Sequence, residues 1–384
     1  MIRACRYHAD VAVHPSSAMA EALALVVPGT PLRDGLERIL QANRGALVLV
    51  GDDAAVLSIC SGGFLLDAEF SPQRLAELAK MDGAIILSPG AGRIARANVH
   101  LMPNPAIPTT ETGTRHRTAE RVARSIDVPV VSVSAAMSVV TIYRRNDRHV
   151  LQPATRLLER TGQALQALQR FRVRFDLALT ALSALEVEDT VTMRDVAGVL
   201  QPAELVVRIA EEIEAGLLEL GEDGRLLRWQ LEELREGVDP IRRLVVRDYL
   251  SEGPADGPVD DPSYGGQRPG KAAGVQVTLD LLGRLSTAEL LDGRRVAAAL
   301  GFAPTSADPD SSLEPRGYRL LNRLPRFPET VADRIVDHFS GLQRIMRASA
   351  RDLEQVGGVG EARARSVKEG LARLAEASIL DRYS

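Results

Sequence analysis

The sequence predicts a multidomain protein in which an α/β domain is followed by a long all-α region. Between about residues 45 and 151, short runs rich in valine and isoleucine alternate with helical stretches, as in an α/β or α+β domain. From about residue 155 onward, apolar residues recur at the spacing of a helix. The length of 384 residues leaves room for two or three domains of ordinary size, so a single small module is excluded.

The strands of the first domain are predicted from short apolar runs that lie between turns. They are Ala46–Val50, Val56–Cys60, Ala84–Leu87, Val130–Val133 and Val139–Tyr143. Helical patterns surround these strands, and a proline in the second of them suits the first turn of a helix. The predicted helices are Leu32–Gln41, Ser71–Met81 and Arg115–Ile126.

The all-α region begins with one long predicted helix, Thr155–Leu185, which would measure about 45 Å at 1.5 Å per residue. Its apolar stripe follows steps of three, four and seven residues and consists of Leu158, Leu165, Leu168, Phe171, Phe175, Leu179 and Leu182. A spacer bundle explains this stripe better than a coiled-coil surface for a partner. Further helices are predicted at Pro202–Leu218, at Gly224–Glu236, within Val277–Leu300, and from Gly317 onward. Ser251–Gly270 is dense in glycine, proline and aspartate and is predicted to be a flexible linker.

Composition excludes several classes of protein. With 45% hydrophobic and 26% charged residues, the chain is neither a disordered nor a membrane protein. The two cysteines, Cys5 and Cys60, cannot form a disulfide framework or a cysteine-rich metal site, so we expect a reducing, cytoplasmic location. The apolar run Ala18–Val27 contains Glu21 and is too short to cross a membrane, so no membrane partner is expected.

Charge is unevenly distributed along the chain. The formal net charge of −4 gives no sign of a nucleic-acid partner when it is treated as evenly spread. The segment Arg316–Ser384, however, holds thirteen basic and nine acidic residues, a net charge of +4, which leaves −8 for the preceding residues. The protein is therefore an acidic body with a basic C-terminal end.

The basic end contains a glycine-rich turn between two predicted helices, in the sequence LEQVGGVGEARAR over residues 353–365. Glycines allow a phosphate to approach the backbone, and the N–H groups at the start of the next helix point at such an anion. The segment resembles the helix-hairpin-helix family, and Leu324–Pro328 with Val331–Phe339 is similar to a second, degenerate copy. The alternative is an ordinary packing corner with a glycine cap.

The resemblance implies a tandem helix-hairpin-helix domain that grips the sugar-phosphate backbone of DNA without reading bases. The residues that it assigns to DNA contact are Gly358, Val359, Gly360, Arg363, Arg365 and Lys368. Contact of this kind predicts binding that is selective for DNA shape and sensitive to salt.

Two short motifs in the first domain suit a nucleotide. Asp82-Gly83-Ala84 begins a predicted strand, where an aspartate can hold a divalent metal and approach a hydroxyl. The segment 114–118, TRHRT, opens a predicted helix and places two guanidiniums near its N-terminal N–H groups, where a polyphosphate would sit. Either motif alone is weak, since an Asp-Gly pair is usually a turn and an arginine-rich helix start is usually solvated.

Taken together, four segments closely resemble the diadenylate cyclase domain family. They are PGTPLRDGL at residues 28–36, CSGGF at 60–64, DGA at 82–84 and ETGTRHRTAER at 111–121. The order of cyclase domain, helical spine and hairpin tail is similar to that of DNA-binding members of this family. The resemblance implies a mixed central sheet, the condensation of two ATP molecules into cyclic di-AMP with release of two pyrophosphates, a requirement for Mg²⁺ or Mn²⁺, and an octamer.

The resemblance also assigns roles to individual residues. Asp82 would bind the metal and help to activate a ribose 3′-hydroxyl, while Gly83 and Ala84 would lie against the nucleotide. The residues assigned to binding of the triphosphate are Thr114, Arg115, His116, Arg117 and Thr118. Three of them, Arg115, His116 and Arg117, are also assigned to catalysis, together with Asp82. Leu101 would lie against adenine, and Ser134 would touch phosphate.

The reaction requires two ATP molecules to attack each other in line, so two cyclase domains must face each other and a monomer should be inactive. At the tail, the expected partner is branched DNA such as a Holliday junction. Branched DNA that binds active and inactive arrangements differently would lower the cyclase output.

The domain boundaries follow from these features. We expect an N-terminal extension over residues 1–18, a cyclase domain over 19–153, a helical spine over 154–315 that includes the linker 251–270, and a hairpin domain over 316–384. Two other functions compete with the cyclase. A DNA-binding protein with a decayed cyclase domain should lack Asp82 or the Arg-His-Arg run, and a repair nucleotidyltransferase or nuclease should show paired carboxylates for two metals.

Overall fold

The computed structural model describes four stretches of the chain. They are residues 16–251, 271–303, 308–325 and 327–383. The predicted extension over residues 1–18 lies outside the described residues except for its last three, and the predicted linker Ser251–Gly270 lies outside them except for Ser251. Helix α1 begins at Ser17, where the Ser16 side chain accepts a hydrogen bond from Met19 N.

The first domain alternates helices and strands. In chain order they are α1 (Ser17–Ala24), α2 (Pro31–Gln41), β1 (Ala46–Val50), α3 (Ala54–Ser58), β2 (Cys60–Ser61), β3 (Phe64–Glu69), α4 (Pro72–Leu78), β4 (Ala84–Leu87), β5 (Arg93–Leu101), α5 (Thr114–Ser125), β6 (Val130–Ser134), β7 (Val139–Arg144) and β8 (Asp147–Val150). The strands predicted at β1, β4, β6 and β7 are confirmed to within one residue at each end.

The strands form one mixed sheet in the order β2-β5-β4-β1-β6-β7-β8, and β3 also pairs with β5. Strands β1 and β4 are parallel, whereas the other described pairs are antiparallel. The predicted α/β domain with a mixed central sheet is therefore confirmed. Both faces of the sheet are apolar, because Val48 of β1 packs in the same cluster as Leu36 of α2, and Leu49 packs in the same cluster as Val122 of α5.

The predicted strand Val56–Cys60 is wrong. The Asp53 carboxylate accepts a hydrogen bond from Val56 N at 2.8 Å, which caps the short helix α3 at this position. Val56 is fully buried inside this helix, so the apolar run reflects burial and does not indicate extended backbone. The same criterion misses strands β3 and β5, because both are partly exposed and carry polar side chains.

The helical spine begins with α6 (Ala154–Glu188), which confirms the long predicted helix. The helices after it are α7 (Met193–Leu220), α8 (Arg225–Arg235), α9 (Val238–Tyr249), α10 (Lys271–Arg284), α11 (Thr287–Leu290) and α12 (Gly293–Ala299). Helix α7 starts well before the predicted Pro202 and carries this proline in its interior, although proline has no N–H for the helical ladder.

The C-terminal region is helical, as predicted. Its helices are α13 (Tyr318–Asn322), α14 (Glu329–Phe339), α15 (Leu342–Arg347), α16 (Ala350–Glu354) and α17 (Glu361–Tyr383). They share one apolar core that contains Leu321, Ile335, Leu353 and Val367. A pair of helices joined by a short connection occurs twice, once as α13 with α14 and once as α16 with α17.

Two compact units are defined by contacts between Cα atoms. The first holds the chain up to Leu165 together with Glu211–Leu231, and the second holds Gln166–Ala210 with the chain from Glu232 onward. The three domains expected from the sequence, with boundaries at residues 153/154 and 315/316, remain a prediction.

Buried polar groups join α6, α9 and α13 within the second unit. Asp248 of α9 accepts hydrogen bonds from the backbone N–H groups of Gly317, Tyr318 and Arg319, which caps the start of α13. The Arg319 guanidinium forms an ion pair with Glu186 of α6, and both side chains are almost completely buried.

Candidate functional site

One edge of the mixed sheet gathers the predicted nucleotide residues. The parallel strands β1 and β4 begin at this edge, and the antiparallel strands β5 and β6 end there, since Ala46 pairs with Val133 and Ala84 pairs with Val99. Asp82 and Gly83 lie just before β4, Leu101 ends β5, and Ser134 ends β6. The structure thus brings together residues that are up to about fifty positions apart in the chain.

The two short motifs meet in an ion pair. Arg115 Nη2 donates a hydrogen bond to Asp82 Oδ1 at 2.8 Å. The Asp82 side chain is 98% exposed and that of Arg115 is 42% exposed, so both groups are accessible to a ligand. Gly45, just before β1, leaves room for this arginine, because a Cβ at Gly45 would lie 2.8 Å from Arg115 Nη1.

Gly83 is required by the fold itself. A Cβ at this position would lie 2.3 Å from the carbonyl carbon of Asn98 and 2.7 Å from the nitrogen of Val99, both backbone atoms of β5. The close approach that glycine permits is therefore to the neighbouring strand. Ala84, the next residue, is buried in the apolar core beneath α5.

Leu101 and Ser134 differ in how much of them is available at the edge of the sheet. Leu101 pairs with Cys60 of β2 and is only 8% exposed, so most of its side chain belongs to the core. Ser134 is half-buried, and its hydroxyl accepts a hydrogen bond from Met137 N at 3.4 Å.

The N-terminus of helix α5 presents the second motif. Its N-cap is Gly113, which has a φ of 87° and no side chain with which to cap the helix. Thr114, Arg115 and Arg117 are exposed, and no acidic residue occupies the first turn, which favours an anion at this helix end. Thr118 is half-buried.

His116 differs from its neighbours in the motif because it is only 7% exposed. Its Nδ1 lies 2.9 Å from the hydroxyl of Tyr143 on β7, and this hydroxyl donates to Glu111 Oε1 at 3.0 Å. Arg148 Nε lies 2.8 Å from the same carboxylate oxygen. These four residues form one polar network beneath the start of α5.

The surroundings of this network shift the pKa values of His116 and Tyr143. Burial lowers the pKa of His116, although the Glu111 carboxylate acts in the opposite direction. Burial, followed by the Glu111 carboxylate, raises the pKa of Tyr143. Both groups are therefore neutral near pH 7, with the phenol proton retained on Tyr143.

The donor set at the edge of the sheet fits a divalent metal that brings other ligands with it. Among the described residues, no group of three or more histidine, cysteine, aspartate or glutamate side chains could enclose a metal ion. Asp82 offers an exposed carboxylate at this edge, beside Arg115. Mg²⁺ is commonly held by one or two carboxylates together with water and substrate phosphates, which agrees with this arrangement.

The second candidate site is the turn between α16 and α17. Gly358 has a φ of 89°, a conformation that favours glycine, and Gly360 has no atom within 4 Å of the position of a Cβ. Val359 is buried in the core of the C-terminal helices and anchors the turn, so that the glycines on either side are exposed.

The cations near this turn are used in different ways. Arg363 donates to the carbonyl of Gly358 at 2.6 Å, and Lys368 donates to the carbonyl of Met346 at 2.7 Å. Arg365 is exposed and pairs with Glu361. Arg334 of α14, which lies outside the glycine-rich motif in the sequence, donates to the carbonyl of Gly357 at 2.9 Å and brings a further guanidinium to the turn.

Comparison with known families agrees with the architecture. A family model described as the DisA bacterial checkpoint controller nucleotide-binding domain, abbreviated DAC, matches residues 33–148. A second, described as the DisA bacterial checkpoint controller linker region, matches residues 151–308. The domain that contains the mixed sheet is therefore a nucleotide-binding domain of the DAC class.

The chain belongs to the family of the DNA integrity scanning protein DisA. The protein of this name from Streptomyces coelicolor is 51% identical over 365 residues, which cover 95% of this chain and 94% of that protein. The protein of the same name from a Parafrankia species is 53% identical over 361 residues, which cover 94% and 96%. Among solved structures, DacA from Staphylococcus aureus aligns with 35% of this chain and 89% of its own at 22% identity, and the TM-score of 0.27 supports no further conclusion.

Several residues of the candidate site carry no signal in the sequence. Tyr143 reads as one more residue of a buried strand, and Gly45 as a turn. Glu111 and Arg148 are 37 positions apart and meet only because β8 pairs with β7. The described helices include none that is long and apolar enough to cross a membrane.

Proposed function

We propose that this chain is a diadenylate cyclase that joins two ATP molecules into cyclic di-AMP and releases two pyrophosphates. The observation that carries this proposal is the Asp82–Arg115 ion pair, because it unites the two motifs at one accessible edge of the sheet. In each of the two bond-forming steps, the 3′-oxygen of one ATP bonds to the α-phosphorus of the other. The bond from that phosphorus to pyrophosphate breaks, and the hydroxyl proton is released.

The exposed residues of α5 have the chemistry that a triphosphate needs. Arg115 and Arg117 can form charge-assisted hydrogen bonds with phosphate oxygens, and the hydroxyls of Thr114 and Thr118 can add neutral ones. The N–H groups of the first turn offset charge that develops at the α-phosphate. At the end of β6, Ser134 is proposed to contact a phosphate.

Other residues are proposed to hold the nucleoside. The exposed carboxylate of Asp82 is proposed to accept the proton of a 3′-hydroxyl, and the backbone of Gly83 and Ala84 is proposed to lie against the nucleotide. The exposed part of Leu101 would contact the edge of the adenine.

Mg²⁺ or Mn²⁺ is the proposed cofactor, held by Asp82 together with phosphate oxygens of the substrate. When bound, such an ion offsets phosphate charge and lowers the pKa of the attacking hydroxyl. Arg115 would then exchange its bond to Asp82 for bonds to phosphate, because guanidinium binds phosphate oxygens in the same geometry as a carboxylate.

Catalysis requires more than one copy of the chain. Each cyclase domain holds one ATP, so two domains must face each other for the two in-line attacks. A closed homo-oligomer, proposed here to be an octamer, supplies such pairs through two-fold symmetry.

The C-terminal helices are proposed to bind branched DNA such as a Holliday junction. The exposed turn around Gly358 and Gly360 lets a phosphate approach the backbone, and Arg334, Arg363 and Arg365 surround it with positive charge. Because these groups would contact phosphates, binding should weaken as the salt concentration rises. Because they would not read bases, binding should depend on the shape of the DNA backbone.

The cyclase is tested by incubating the purified full-length protein with ATP and either Mg²⁺ or Mn²⁺. Chromatography with mass spectrometry should detect one cyclic di-AMP for every two pyrophosphates. Absence of product with both metals would contradict the proposal. For DNA, fluorescence anisotropy should show tighter binding to a four-way junction than to a linear duplex, and equal binding to both would contradict the shape-selective assignment.

A further inference from the structure

The hydroxyl of Tyr143 joins the two sides of the turn that begins α5. It lies 2.9 Å from His116 Nδ1 and donates to Glu111 Oε1 at 3.0 Å. Glu111 precedes the N-cap Gly113 by two residues, and His116 follows it by three. The hydroxyl oxygen of Tyr143, a residue of the sheet, therefore forms hydrogen bonds with both chain segments that flank the N-cap.

The direction of these hydrogen bonds follows from the number of protons. A phenol has one proton, and here it is donated to the Glu111 carboxylate. The same oxygen must then accept the hydrogen bond from His116, so the neutral imidazole carries its proton on Nδ1. Arg148, which pairs with Tyr143 across β7 and β8, binds the Glu111 carboxylate and completes the chain of bonds.

Within the first turn of α5, two side chains bond to other elements of the domain: Arg115 pairs with Asp82, and His116 bonds to Tyr143. Gly113 has a positive φ and no side chain, so it supplies neither a cap nor stiffness. Within the first turn, Thr114, Arg115 and Arg117 are exposed, and His116 alone is buried. The bond from His116 to Tyr143 is therefore the buried side-chain anchor of the first turn, whereas Ala119 and Val122 anchor the turns that follow.

We propose that Tyr143 is a positioning residue that holds the first turn of α5 in the geometry that binds the triphosphate. This inference rests on the proposed function and extends it to a residue that touches no substrate. The physical reason is that displacement of a binding group by about 1 Å can reduce the rate about a hundredfold. Without the Tyr143 hydroxyl, Glu111 and His116 would both lose the buried group with which they form hydrogen bonds.

The test compares two Tyr→Phe variants of the full-length protein. Tyr143→Phe keeps the buried ring and removes the hydroxyl. Tyr249→Phe is the matched control, because the Tyr249 hydroxyl is also buried and donates to a carboxylate, that of Glu186, at 2.7 Å, but it lies in the second unit.

Kinetics give kcat and KM for ATP, and binding experiments give the dissociation constants of a non-hydrolysable ATP analogue and of AMP. The melting temperature shows whether each variant is folded. Tyr143→Phe should reduce kcat/KM about tenfold to a hundredfold. It should weaken binding of the ATP analogue more than binding of AMP, because the turn is proposed to bind the triphosphate, of which AMP keeps only the α-phosphate. Tyr249→Phe should leave the ratio of the two dissociation constants unchanged.

A wild-type ratio and a wild-type kcat/KM in Tyr143→Phe would overturn the inference. If that variant does not fold, Glu111→Ala and Glu111→Gln test the inference instead, since the glutamine side chain can still accept a hydrogen bond from the Tyr143 hydroxyl. The alanine should shift the ratio and the glutamine should largely restore it, whereas equal behaviour of the two would overturn the inference. Failure of the wild-type protein to bind the ATP analogue or form product would instead overturn the proposed function.

Discussion

Arg115 Nη2 lies 2.8 Å from Asp82 Oδ1, although the two residues are 33 positions apart and stand on different elements. The pair joins the start of β4 to the N-terminus of α5. It sets a carboxylate suited to a metal or a hydroxyl beside groups suited to phosphate. Because the two motifs carry different side chains, substitution of one residue at a time can show what each motif contributes to activity.

Asp82→Asn should reduce formation of cyclic di-AMP about 10²–10⁴-fold, because the amide can neither accept a proton nor hold a metal as a carboxylate does. Binding of a four-way junction should remain at the wild-type level. Asp67→Asn is the matched control, since Asp67 is also an exposed aspartate of the first domain paired with an arginine. Equal activities of the two variants would contradict the role of Asp82.

Gly83→Ala should destabilise the protein by about 1–3 kcal/mol, because the new methyl group would overlap backbone atoms of β5. Urea unfolding measures this loss. Gly92→Ala is the control, as a Cβ at Gly92 meets no atom within 4 Å and its φ of −75° suits any residue. A Gly83→Ala protein as stable as the control would show that β5 can move away from this position.

Gly360→Ala should weaken junction binding about tenfold to a hundredfold without unfolding the C-terminal helices. A Cβ there meets no atom of the chain, so the methyl group obstructs only a molecule that approaches from outside. Loss of one hydrogen bond to a charged phosphate is worth about 1.5–3 kcal/mol, which gives this range.

Two further glycines complete the experiment on the turn. Gly358→Val should weaken binding more strongly, because its φ of 89° strains any residue with a side chain. Gly341→Ala, in open space and with an extended φ of 177°, is the matched control. Cyclase activity should persist in all three variants, and normal junction binding by Gly360→Ala would contradict the assignment of the turn.

His116 should make the first unit less stable as the pH falls below about 6.5. The unfolded chain takes up a proton near this pKa, whereas burial lowers the pKa of His116 in the folded state. The unfolded state therefore binds more protons between the two pKa values, and stability is lost as pH falls through that range.

Urea unfolding at pH 7.5 and pH 5.5 measures this effect through the fluorescence of Trp229, the single tryptophan, which lies in the first unit. His116→Gln should show a smaller difference in unfolding free energy between the two pH values. An unchanged difference would indicate that the imidazole does not titrate in this range.

Arg319→Leu should destabilise the second unit by about 3–5 kcal/mol, because it leaves the buried Glu186 carboxylate without its cation. Arg194→Leu, which breaks an exposed ion pair with Asp310, should cost less than about 1 kcal/mol. Hydrogen exchange of the C-terminal helices measures both variants, and equal protection in the two would contradict the importance of the buried pair.

Local patterns predicted much of the secondary structure. Strands such as β1 and β4 are continuous apolar runs because both faces of the sheet are covered. The stripe of α6 was equally clear, and Leu168 and Phe175 within it are fully buried. The run Val56–Cys60 predicts a strand but lies largely in a helix, because short apolar stretches look alike in buried helices and strands and the Asp53 cap favours the helix here.

The class of the domains and the two motifs can be predicted from the amino-acid sequence, because periodicity and the spacing of residues within a motif are local properties. The tertiary structure sets which motif residues face outward and which are buried. It separated His116 from Arg115, its neighbour in the chain, and joined it to Tyr143, 27 positions away. Because a helix turns about 100° per residue, adjacent side chains enter different surroundings. The partners of a buried polar group are set by strand pairing between segments distant in the chain.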